Sequence, residues 1–147
     1  MKKKLSLFYF LVIAVVLFGC GPEANIVVNE EKTRLFVDED RNIMAFYVTV
    51  TNENYLPSDI LFAKFNIIHE GLVQEINRET VYFTSDETNL QPFEIAGNDS
   101  YFFGESFEYH GAIPHEDLED AVEVVIFNGA DEVVSQFPIS IAEPGHL

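Results

Sequence analysis

Two stretches of this chain alternate apolar and polar side chains with a period of two. That period commits them to β-strands, because successive side chains of an extended strand point to opposite sides. In 42–52, Met44, Phe46, Val48 and Val50 share one face, while Ala45, Tyr47, Thr49 and Thr51 share the other. In 60–69, Leu61, Ala63, Phe65 and Ile67 lie opposite Lys64 and Asn66. A third run sets Tyr101, Phe103, Phe107 and Tyr109 together, opposite Gly104, Ser106 and Glu108. One side of each strand is built for a core and the other for solvent.

Further strands follow from turn chemistry. Two apolar runs, 121–127 and 132–141, flank Asn128-Gly129-Ala130-Asp131, and Asn-Gly between such runs signals an antiparallel hairpin. Shorter strands are expected at 26–28, 34–38 and 80–83, a turn at Glu70-Gly71 and a loop at Leu56-Pro57-Ser58. Pro114 opens an acidic segment, His115-Glu116-Asp117-Leu118-Glu119-Asp120, that suits a single helical turn linking two strands. Seven or eight short strands predict an all-β, two-layer antiparallel sandwich of immunoglobulin type over 26–142, with 143–147 a frayed tail. The run Phe46-Tyr47-Val48-Thr49-Val50-Thr51-Asn52, followed by Leu56-Pro57 and another strand, resembles the second-to-third strand region of immunoglobulin-like domains in bacterial cell-surface lipoproteins. The chain has no Trp and no cysteine within 26–142, which excludes the antibody version with its buried Trp and disulfide.

The first twenty residues have a different logic. Lys2, Lys3 and Lys4 give a basic start, 5–18 is apolar apart from Ser6, and Gly19-Cys20-Gly21-Pro22 ends the run. That layout is an export signal, and it stops short of the roughly 20 apolar residues a spanning helix needs. Leu17-Phe18-Gly19-Cys20 resembles the lipobox of bacterial lipoproteins, with Leu17 and Gly19 in the two positions read by the processing enzymes. The resemblance implies cleavage after residue 19, a diacylglyceryl thioether on Cys20, a tether over 20–25, and an extracytoplasmic protein held to the membrane by lipid. Two acyl chains anchor stably where one holds only marginally. Cys20 is the only cysteine, so no intramolecular disulfide can form and the domain must rely on its core.

Charge narrows the choice of partners. There are 8 Lys plus Arg against 25 Asp plus Glu, for a net charge of −17. Such a surface repels nucleic-acid phosphates and suits a basic partner or a hydrated cation. Nucleophilic hydrolysis finds no Gly-x-Ser-x-Gly elbow, and the one thiol is committed to lipid. Zinc would have to draw on His69, His110, His115 and His146, which lack His-x-x-x-His spacing, although His110 and His115 could converge with Glu116. Calcium suits the hard oxygens of Asp38, Asp40, Glu116, Asp117 and Asp120, though 38–40 also reads as a charged hairpin turn. Tyr55, Tyr82 and Tyr109 are candidates for a ligand surface or for core bulk. The function expected is non-enzymatic: an anchored module that binds an envelope or extracellular protein, with calcium or solute binding by the acidic loops as the alternative.

Overall fold

The computed structural model describes residues 25–85, 89–111 and 113–145. Leu17, Gly19, Cys20 and His146 lie outside the described residues. Nine strands occur among the described residues: β1 (Ile26–Val28), β2 (Arg34–Asp38), β3 (Ile43–Asn52), β4 (Leu61–Ile67), β5 (Thr80–Tyr82), β6 (Ser100–Glu108), β7 (Val122–Asn128), β8 (Val133–Pro138) and β9 (Ala142–Pro144). Two short helices, α1 (Glu70–Ile76) and α2 (His115–Leu118), link strands, and among the described residues no helix is long and apolar enough to cross a membrane.

The fold is all-β with two sheets. β3 outruns its partners, so one edge of it is shared: β1 pairs with Val50–Asn52 and β2 with Ile43–Tyr47, both antiparallel. Between them a 3₁₀ turn bulges out, and the Thr33 side chain fills the missing rung. Its Oγ1 donates to the Thr49 carbonyl at 3.3 Å and accepts the Thr49 N–H at 3.1 Å. β6 runs along the other edge of β3 from Ser100 to Glu108. The second sheet has the order β5-β4-β7-β8, antiparallel throughout.

Parity decides what lies between the sheets. Met44, Phe46, Val48 and Val50 of β3 and Ala63 and Phe65 of β4 are fully buried, as their alternation requires. Aromatic rings supply the bulk that Trp and disulfides would otherwise give. Phe46 meets Phe65 at 5.3 Å and Phe107 at 5.1 Å, and Phe93 stacks on Tyr101 at 4.6 Å.

Two expectations fail locally. Glu70-Gly71 opens helix α1 rather than a turn: the His69 Nδ1 accepts the Leu72 N–H at 3.3 Å, and Asn77 in the left-handed region (φ 56°) ends the helix. Only Leu72 of α1 is buried, so no helical period shows in the sequence. Residues 143 and 144 are not frayed, since they belong to β9, which runs parallel to β2. The Leu35 N–H donates to the Ile141 carbonyl at 2.8 Å, and Arg34 pairs with Glu143 at 2.8 Å. The strand set therefore reaches nine and includes one parallel pairing. The Asn128-Gly129 hairpin does form between β7 and β8, although Asp131 is the residue with positive φ (61°).

Candidate functional site

The acidic loops gather at one end without converging. The Asp38 carboxylate is buried and caps its own turn, with Oδ1 accepting the Arg41 N–H at 3.0 Å and Oδ2 lying 3.7 Å from Arg41 Nε. Asp40, Glu116 and Asp117 are exposed, and Asp120 accepts the Ser140 hydroxyl at 2.7 Å. His115 Nε2 lies 3.8 Å from Glu39, and His110 Nε2 lies 3.2 Å from Glu108. His69 serves as a helix cap. Among the described residues, no group of three or more His, Cys, Asp or Glu side chains is placed to hold a metal ion.

The three tyrosines separate cleanly. Tyr109 is 2% exposed and its hydroxyl accepts the Ile113 N–H at 3.2 Å, so it is core. Tyr55 is 72% exposed and Tyr82 46%. Tyr82 borders a shallow depression of about 520 Å³ on the outer side of the second sheet, with Leu90, Phe127 and Val133.

A more chemical site lies at the open edge between the sheets. On β6 the odd positions face inward, so Glu105 projects between Phe103 and Phe107 on the core side. The parity that sets Tyr101, Phe103, Phe107 and Tyr109 on one face places residue 105 there too, a signal that apolar patterning alone leaves out because the residue is charged. Glu105 Oε1 accepts the Thr84 N–H at 3.2 Å. It lines a cleft of about 360 Å³ with Glu75, Arg78, Tyr82 and Glu108.

Burial raises the Glu105 carboxyl above its ordinary value, against the lowering effects of the Thr84 N–H and of Arg78. A carboxyl with a raised folded-state pKa favours folding most below its unfolded value, and that advantage is lost as pH rises through the folded value. Glu105→Gln keeps an oxygen for Thr84 and removes the charge. Its thermal midpoint is expected to equal or exceed that of the natural chain at pH 7, with the difference shrinking as pH falls into the carboxylate range. A melting series over pH with both proteins checks this.

No protein-family model matches the sequence, and neither does any curated protein. Among solved structures the chain is similar to an alkylpurine DNA glycosylase of Pseudomonas fluorescens bound to DNA containing an abasic site analogue. That match has 12% identity and a TM-score of 0.43, over 84% of this chain and 32% of the other. It is also similar to a β-glucosidase of Listeria innocua in complex with isofagomine, at 7% identity and a TM-score of 0.36, over 83% and 16% of the two chains. A mutant of that β-glucosidase in complex with laminaribiose matches at 9% identity and a TM-score of 0.36, over 84% and 16%. The chain thus spans a third or less of each of these proteins, and identities this low carry no activity across.

Proposed function

We propose that this chain is a surface lipoprotein, anchored outside the cytoplasm through acyl chains on Cys20, whose sandwich is a non-enzymatic protein-binding module. The finer architecture we infer is immunoglobulin-like. In that fold the second and fifth strands are neighbours in one sheet and the third and sixth in the other. β3 beside β6 and β4 beside β7 match this interleaving.

The observation that carries the binding role is an aromatic row on the outer face of the first sheet. Phe36 and Tyr47 lie 6.0 Å apart, Tyr47 and Phe102 5.7 Å apart, and Phe102 is 59% exposed. These side chains are on the parity opposite to the core, so the packing between the sheets does not require them. Exposed apolar groups clustered on a polar surface suit a partner.

Mass spectrometry of the native protein is expected to find residues 1–19 removed and a diacylglyceryl group on residue 20. Cys20→Ser should move the protein from the membrane pellet to the soluble fraction. An intact leader or an unmodified thiol sinks the anchoring. Cross-linking in intact cells tests the module: partners captured by the natural chain are expected to be lost from Phe102→Ser.

A further inference from the structure

β6 has one side without a partner. In an antiparallel pair, residues that exchange both backbone hydrogen bonds alternate with residues whose N–H and C=O point away. The Tyr109 N–H donates to the Asn42 carbonyl, and the Asn52 N–H to the Asp99 carbonyl, both at 2.9 Å. Those two bonds fix the phase, so odd-numbered residues of β6 bond to β3. Phe102, Gly104, Ser106 and Glu108 therefore direct their N–H and C=O groups outward, and among the described residues no strand pairs with them. Four consecutive outward positions make an edge long enough to accept another strand.

The surroundings choose the occupant. A strand laid beside β6 alternates its side chains between two environments. On the inner side it meets the cleft with Glu105 and Glu75, where Arg78 is the one base among the lining residues. On the outer side it meets Phe102, and Glu108, of the same parity, also borders the mouth of the cleft; both are exposed. A second copy of this chain fits poorly, because antiparallel pairing of β6 with β6 about its centre sets two Glu105 carboxylates side by side. An inward-facing charge is a known guard against such edge-to-edge pairing. We propose that β6 accepts, by strand addition, an extended segment of another protein with Lys or Arg at the alternate positions that face the cleft. This rests on the binding-module reading and names the partner's chemistry.

The probe is a short peptide alternating lysine and valine, with a glutamate–valine peptide as control, added to the full chain in detergent micelles. The lysine peptide is expected to bind at least about tenfold more tightly than the control, and less tightly as salt rises. Hydrogen exchange should slow at the amides of Phe102, Gly104, Ser106 and Glu108. Ser106→Pro removes an outward N–H while sparing the β3 ladder, and should weaken binding about tenfold. Methylating alternate nitrogens of the peptide tests the same bonds with the protein unaltered, and one of the two methylated sets should lose binding. Equal affinity for both peptides, protection at another face, or full binding by both methylated sets overturns the proposal. So does dimerisation of the chain that Ser106→Pro abolishes, in favour of copy-to-copy pairing. Cross-linked partners that survive Ser106→Pro would sink the edge assignment and leave the binding-module reading standing.

Discussion

Asn52→Leu is expected to lower stability by about 3 kcal/mol, or roughly 12 °C in thermal midpoint. Asn52 is fully buried at the end of β3, on the parity that Met44, Phe46, Val48 and Val50 use for the core. Its Nδ2 donates to the carbonyls of Leu56 at 2.8 Å and Ile95 at 3.1 Å, and its Oδ1 accepts the Asn54 N–H at 3.0 Å. One amide thus ties the 54–56 loop to the backbone at Ile95. Leucine fills similar space but takes this partner from the part-buried Leu56 carbonyl and Asn54 N–H, while the Ile95 carbonyl keeps only the Ser58 N–H at 2.9 Å; removing one side of a buried hydrogen bond costs the desolvation of the group left behind. Asn52→Asp is the sharper comparison. It keeps an acceptor for Asn54 but turns a carboxylate toward carbonyl oxygens, so its folded-state pKa is raised. Its stability deficit should widen as pH rises through that value and narrow as pH falls. If thermal unfolding shows Asn52→Leu within a degree or two of the natural chain, the buried amide is not what holds these loops.

Asn52 also shows what the sequence conceals. β3 and β4 were legible because the side facing the other sheet is apolar at every second residue, and the β7–β8 hairpin because Asn-Gly separates two apolar runs; the signal survives in β3 and β7 although Ala45, Thr49, Val125 and Phe127 are buried on the other side as well. The same parity carries Asn52 and Glu105 inward, yet both are polar. Hydrophobic patterning assigns such residues to turns or solvent unless the count is followed through them. Helix α1 hides for another reason: seven residues with a single buried side chain leave no helical period, and Glu70-Gly71 imitates a turn. β9 is hidden because a three-residue strand gains its place from distant β2, through a parallel pairing no local pattern announces. The acidic segments were visible as composition. Their partners, Arg41 for Asp38 and Ser140 for Asp120, are properties of the folded end alone.

Glycine positions extend the same point, because an empty side chain has no pattern to read. Gly97 packs directly on the backbone of the 54–56 loop, and a Cβ there would run into the carbonyl group of Tyr55. The neighbouring Asn98 N–H donates to the Asn54 carbonyl at 2.8 Å, and the Ile95 N–H donates to Ser58 Oγ at 2.9 Å, so the two segments are held where they are. Backbone cannot yield as a flexible side chain can. Gly97→Ala is therefore expected to cost about 3 kcal/mol, at the upper end for overpacking. Gly129→Ala is the control: nothing lies within 4 Å of its added methyl, and the change should be near neutral. Since Gly97 and Asn52 act on the same contact between loops, their effects should not add. Once Gly97→Ala has pushed the segments apart, removing the Asn52 amide takes away bonds already weakened. The double variant should then lose measurably less than the sum of the singles in denaturant unfolding. A strictly additive pair would mean that the two residues stabilise separate parts of the fold, and the single tie assigned to Asn52 would have to be divided.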